Sequence, residues 1–579
     1  MIRRTGSAVL AGLLMVGMST TIGIGTSGAS QRVKASGPHV KGTGRQKVLY
    51  VGAFNGFTTP SAVTFSTIQG AVNASKPGDW ILIAPGDYHE QGDMGANAPG
   101  PAALAEGWYG GVDITTRNLH VRGMNRNSVI VDGTTPSASA PCSPAPADQN
   151  SLNGDGRNGI VIWKANNVTV DNLTVCNFIA GTGNAGNEIW WNGGAGSGTN
   201  GLTRYSGSYL TATSTYFAGS DPSHLNVCGT CALYGIFSSD SSGPSHWSQL
   251  YANNFADSGM YVGACKRACN VTIDHAWMEN NALGYSGTNS GGKIVIQNSR
   301  FDDNKDGLDT NTALTGDPPP PQDGRCWTGI SPITGTKMCW VFTNNMVDSN
   351  NNPNVPISGT AGLGPTGTGM TISGGRYDTV TDNTFLDNGA WGVAFVPYPD
   401  GNTTSDGRTC VGTKGFVATS LGISGLSCLY DPQGNVLSNN KFSGNGTFAN
   451  STNADYANLL IAGGQPANCF IGNTQWDSAF THKLGPAVSG NPGQTSSSCG
   501  SRTPKAGLLG SNTNTDLLLQ LECDAGLLSG SLCSGANYPP PTSVVMHPLP
   551  TLASMPNPCA GVPKNLWCPG GNPVVAPKG

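Results

Sequence analysis

The chain has 579 residues, of which 11% are charged, 37% are hydrophobic and 83 are glycine. Soluble globular domains carry roughly 25% charged residues, so this composition excludes an ordinary charged globule as well as a membrane bundle. The net charge of −4 comes with no Lys/Arg cluster or stripe, which argues against nucleic acid as a partner.

Arg3 and Arg4, the apolar stretch 8–18 and the small residues that follow read as a secretory signal over residues 1–30, with an uncleaved anchor as the alternative. Residues 31–46 read as a linker. No later segment reaches the ~20 apolar residues of a membrane span. The mature protein is therefore expected to be a secreted monomer, extracellular or cell-wall associated.

The body of the chain, 47–488, opens with "TFSTIQGAVNASKPGDWILIAPGDYHE" over 64–90. Here Ser66 is placed to cap a short helix carrying Ile68, Ala71 and Val72 on one face. Gly78-Asp79 makes a turn before a strand over 80–84. "EIWW" at 188–191 reads as part of a Gly-rich insertion, its tryptophans either a platform for sugar rings or a seal on the side of the fold.

The 16 cysteines fall largely in close pairs: 228/231, 265/269, 326/339, 410/428, 523/533 and 559/568. In an exported chain these are expected to be disulfides; a redox or half-zinc reading of "CGTC" at 228–231 lacks a βαβ context and a matching Cys/His pair.

The centre repeats. "YANNFADSGMYV", "DHAWMENNALGY" and "QNSRFDDNKDGL" place apolar markers Phe255, Met278 and Phe301 23 residues apart. Val347 lies 46 further on and reads as two more periods, and Phe385 and Phe442 continue after insertions. Three residues past the markers stand Ser258, Asn281, Asn304, Asn350, Asn388 and Asn445, which predicts a ladder of stacked turn residues. Alternation in "KIVIQNSRF" turns Ile294, Ile296 and Phe301 inward and Val295, Gln297 and Arg300 outward. Short strands without helices cannot bury an apolar face alone, and stacking coils does so. The expected fold is all-β, a right-handed parallel β-helix with about 23 residues per coil and an N-terminal capping helix. Residues 489–579 read as a Pro- and Cys-rich tail or cap, or a separate binding module.

The segment from residue 64 resembles the capping helix and first strand of the pectin lyase-like β-helix superfamily. The whole of 47–475 is similar to secreted actinobacterial β-helix repeat proteins. The resemblance implies the fold and an extracellular polysaccharide as partner; the superfamily spans lyases, hydrolases, epimerases, tailspikes and adhesins.

Stacked carboxylates Glu279, Asp302 and Asp348 form a candidate Ca2+ site, with a solvated face carrying a surface ion pair to Arg300 as the alternative. In lyases that resemble this fold, Ca2+ or a basic group neutralises the uronate carboxylate and a base removes the C5 proton; Arg300, Lys293 or Lys305 would be that base. "NKDGLDTNT" resembles a polygalacturonase motif through Asp306 and Asp309, with turn stabilisation the competing role for Asp306, and no Gly-His-Gly segment accompanies it. His275, with Tyr261 and Tyr285 in adjacent coils, resembles an epimerase constellation but aligns with turn residues Asn298 and Asn344. Two functions follow: a lyase or epimerase on acidic glycans using the face near 261–309, or a non-catalytic wall-associated or adhesive solenoid.

Overall fold

The computed structural model describes residues 46–575 except 58, 93–109, 182–185, 195–199, 222–223, 313–321, 327–328, 401–413, 418–425, 449, 451, 460–467, 476–519, 521–522, 525–529 and 534–536. The signal and nearly all of the linker thus lie outside the described residues, as does Cys410.

Mostly parallel strands stack as in a β-helix. One ten-stranded sheet runs from Gly110–Ile114 through Ser258–Gly263 and Asp306–Asn311 to Ala454–Asn458, every neighbour parallel. A second sheet of twenty strands holds two side-by-side ladders, because Val168–Cys176, Tyr205–Thr213, Ser245–Asn253 and Cys265–Glu279 each turn a corner without breaking.

A single left-handed residue makes each corner. Asn172, Tyr209, Gln249, His275, Asn298, Asn344, Asp382 and Asn439 occupy it in successive coils, all with φ between 51° and 60°. Asn, Asp and His tolerate this conformation better than most side chains, which explains their recurrence. His275 therefore sits in the turn column with which its sequence aligned.

The asparagine ladder is present, with its top corrected. Each Nδ2 and backbone N–H donates to the Oδ1 one coil on, from Asn281 to Asn304, Asn350, Asn388 and Asn445. The residue above Asn281 is Phe255, whose N–H donates to Asn281, and not Ser258, which pairs with Leu283. Ala252, not Phe255, is the partner of Met278. A second ladder runs through Ser299, Asn345, Asn383, Asn440 and Asn473, equally buried and unforeseen.

Coil length varies. Successive ladder steps span 26, 23, 46, 38 and 57 residues. Phe301 pairs directly with Val347, so those 46 residues are one coil with an insertion and not two coils of 23.

Inside, one cluster of buried apolar side chains runs from Leu49 and Val51 to Phe470, including Ile294, Ile296 and Phe301 as the alternation required. The α-helix Ile68–Ala74 adds Ile68, Ala71 and Val72 to it. Its cap is Thr67, whose hydroxyl accepts from the Gly70 N–H, one residue later than expected. Five of the expected cysteine pairs are disulfides (228–231, 265–269, 326–339, 523–533, 559–568), and Cys142 joins Cys176 besides.

The end of the chain runs back along the stack. Backbone groups of Thr542, Val545, His547, Leu552 and Met555 bond in turn to Asn354, Asn280, Asn254, Asn127 and Asn172. Asn254 and Asn127 each both donate to and accept from one tail residue, reading backbone and not side chain. The run ends with Trp567 packed at 4.8 Å from Tyr50 and 5.3 Å from Phe54 in the first coil.

Candidate functional site

The predicted residues divide between two faces. Glu279, Asp302 and Asp348 stack in register on the shorter ladder of the large sheet, with Arg300 two residues before Asp302. His275 lies at the corner leading into that ladder. Asp306 and Asp309 belong to the ten-stranded sheet, so the structure does not gather the 261–309 candidates into one site.

On the first face, Arg300 is half exposed and binds both flanking carboxylates, at 3.0 Å from Asp302 and 3.1 Å from Asp348. Asp302 is 3% exposed and also accepts from the Trp277 indole N–H at 2.7 Å. Burial pushes its carboxyl up to about 7 against the pull of Arg300. The Tyr251 hydroxyl donates to Glu279. Glu279, Asp302 and Asp303, not Asp348, bring their oxygens within 4.8 Å of one another. Of these three, Asp302 already accepts from the indole and the guanidinium and Glu279 from the phenol, so a Ca2+ ion there would compete with those donors.

Beside this ladder lies an open groove of about 680 Å3, lined among others by His275, Trp277, Asn298, Arg300, Asn344 and Met346. The His275 ring, largely exposed, holds Nδ1 at 2.7 Å from Asp274. Burial and partners depart for the other proposed bases: Lys305 is buried, donating to the Gly364 carbonyl and facing Asp524 at 3.8 Å.

The ten-stranded sheet carries a different surface. Its register puts Trp190, Phe237, Tyr261, Ser286, Asp309, Thr371, Ala394 and Ala457 in one outward column. "EIWW" is thus not an insertion but part of strand Asn187–Asn192: Trp191 fills the interior and Trp190 stands outside. Trp190 and Phe237 stack face to face at 5.0 Å, whereas Tyr261 meets Phe237 at 87°. Gly263 allows this. A Cβ there would lie 2.3 Å from the Tyr261 hydroxyl, so the ring lies along its strand over the glycine.

Past Tyr261 the column steps down in side-chain size to Ser286, 3% exposed, and up again to half-buried Asp309, a slot one coil wide in the register. Strand spacing sets Tyr261 and Asp309, two rungs apart, at about 9–10 Å. Asp257, missed in the sequence, stands four residues before Tyr261 and accepts from the Tyr234 hydroxyl at 2.8 Å and from Ser258 at 2.6 Å. Asp309 accepts from Asn311 at 2.7 Å and Ser373 at 2.9 Å. Burial pushes both carboxyls up to about 6, and the charge of Asp309 adds to the shift on Asp257. Asp306, at the start of the same strand, is buried and accepts from the Thr371 hydroxyl of the next coil and from the Leu308 N–H. Tyr285 points into the core and cannot meet a ligand on either face.

No family model matches the chain, and no curated protein does. Solved structures with similar folds include the A-module of the mannuronan C-5 epimerase AlgE6 of Azotobacter vinelandii, 13% identical, TM-score 0.40, covering 70% of this chain and 88% of that one. An alginate lyase from Paenibacillus sp. str. FPU-7 is 10% identical, TM-score 0.31, over 74% and 95% of the two chains. The catalytic domain of a GH87 alpha-1,3-glucanase is 10% identical, TM-score 0.37, over 77% and 69%. The epimerase and the lyase are right-handed parallel β-helix proteins. At such identities and TM-scores the likeness carries no argument about chemistry, and the fold rests on the strand register above.

Proposed function

We propose that this protein acts on an extracellular polysaccharide by general acid–base chemistry in the slot over Ser286. The observation that carries the proposal is the pair Asp257 and Asp309, half-buried carboxyls held near 6 beside the Tyr261 ring. Catalytic carboxyls are tuned in this direction so that one keeps its proton near neutral pH. The shared repulsion means that ionising one makes the second harder to ionise, which supplies an acid and a base together.

The described hydrogen-bond partners of both carboxyls are neutral: Tyr234, Ser258, Asn311 and Ser373. A uronate carboxylate placed among them would be repelled. Hydrolysis of a neutral glycan therefore fits these carboxyls better than the lyase or epimerase chemistry expected on acidic glycans, with one aspartate protonating the leaving oxygen and the other activating water.

A panel of neutral and acidic polysaccharides tests this, with new reducing ends and unsaturated uronates measured in parallel. Reducing ends from a neutral polymer, lost in Asp257→Asn and Asp309→Asn, support hydrolysis. Unsaturated products from an acidic polymer restore the lyase reading. Binding without any product favours the non-catalytic solenoid.

A further inference from the structure

The groove on the large sheet lies outside the slot, and its walls have a consistent chemistry. Its floor is the outward row Trp277, Arg300, Met346 and Thr384, one residue per coil at rungs about 4.8 Å apart. One wall is the corner column, where His275, Asn298, Asn344 and Asp382 project a polar side chain from every coil. On the other side of the ladder the returning tail passes Asn280 and Asn254, bringing His547 beside Asp303 and Ser349. The result is a track parallel to the axis of the stack.

The occupant follows from charge and shape. The guanidinium of Arg300 is already shared by Asp302 and Asp348, and Asp274 holds the imidazole of His275. Glu279, Asp303 and Asp382 add further carboxyls to the same stretch, so a polyanion is disfavoured. Met346 is 37% exposed and, with Trp277, supplies apolar surface between rows of amides and hydroxyls. A linear polymer with alternating apolar ring faces and hydroxyl edges meets both.

We infer that this track holds an uncharged polysaccharide chain along the stack, as a binding site separate from the slot over Ser286. The inference shares with the proposed function only the premise that the partner is a glycan, and it holds whether or not the slot is catalytic.

The test is affinity electrophoresis of the full chain through hydroxyethyl cellulose and, separately, through polygalacturonate. The variant is His275→Gly/Asn298→Gly/Asn344→Gly, which removes the polar wall at positions whose positive φ suits glycine. The wild type is expected to be retarded by hydroxyethyl cellulose, and the triple variant to bind on the order of tenfold more weakly at an unchanged melting temperature. Tyr261→Ala, in the slot, should keep the retardation. Should the triple variant misfold, Met346→Ala alone, at an exposed site, is expected to weaken retardation in the same direction. No retardation of the wild type, equal retardation of wild type and variants, or retardation by polygalacturonate alone would overturn the inference. Retardation lost in the triple variant with no turnover in any assay would leave it standing while removing the proposed function.

Discussion

The two outward faces place buried carboxyls in opposite company. On the large sheet, Asp302 is ringed by a guanidinium, an indole N–H and two further acids, and both of its own oxygens are engaged. On the ten-stranded sheet, Asp309 neighbours Ser286 in the column and Asp257 lies four residues before Tyr261, both with neutral hydrogen-bond partners. Burial raises the carboxyls on both faces, Asp302 to about 7 even against Arg300 and Asp257 and Asp309 to about 6; what differs is that Arg300 pairs with Asp302, whereas Asp257 and Asp309 have only neutral partners.

The comparison breaks most visibly under substitution. Asp257→Asn or Asp309→Asn is expected to lower kcat about 100- to 10,000-fold, the usual weight of a general acid or base, whereas Arg300→Ala leaves kcat nearly unchanged. Reducing-end assays on the responsive polymer check both. Equal losses in all three variants would erase the distinction between the faces.

Next in size is the support common to both faces. Asn350 accepts two bonds from Asn304 and donates to Asn388 and to the Phe301 carbonyl, all buried. Asn350→Ala leaves several of these groups without partners and is expected to cost about 3 kcal/mol in denaturant unfolding. Ser258→Ala, off the ladder, should cost well under half of that.

Much of this ladder could be read in the sequence, because each coil repeats the need for a residue that both turns and bonds along the axis. Asn281, Asn304 and Asn388 announce themselves. The step above Asn281 did not, since that coil is 26 residues long and a 23-residue comb lands on Ser258. The 46-residue step before Val347 was equally opaque, because an insertion that doubles the period imitates an extra coil. The slot was hidden for the same reason. Tyr261, Ser286 and Asp309 meet only through register, across coils of unequal length, and no spacing rule brings Asp257 to them. Glycine-rich surroundings disguised the strand that bears Trp190 and Trp191.

Stability should also depend on pH through the raised carboxyls, and Asp309 shows how. A carboxyl raised to about 6 in the folded chain favours folding fully below its unfolded value near 4, and that contribution is lost as pH rises through about 6. Asp309→Asn imitates the protonated form. It is expected to raise stability by about 1–2 kcal/mol at pH 8, after allowance for its partial exposure, and to leave it nearly unchanged at pH 4. Melting curves at the two pH values check this.

The smallest expected effect is geometric. Gly263→Ala crowds the Tyr261 hydroxyl and tips the ring from its strand, so KM should rise a few-fold on the responsive glycan with kcat little changed. A change in kcat alone would place Tyr261 in the chemistry and not in binding.

The most direct test of the account is the pH profile of product release from a neutral polysaccharide by the wild type and by Asp257→Asn. The account predicts reducing ends with a maximum near pH 6 for the wild type and no product for the variant. Product formation by Asp257→Asn at the wild-type rate, or unsaturated products from acidic polymers alone, would contradict it.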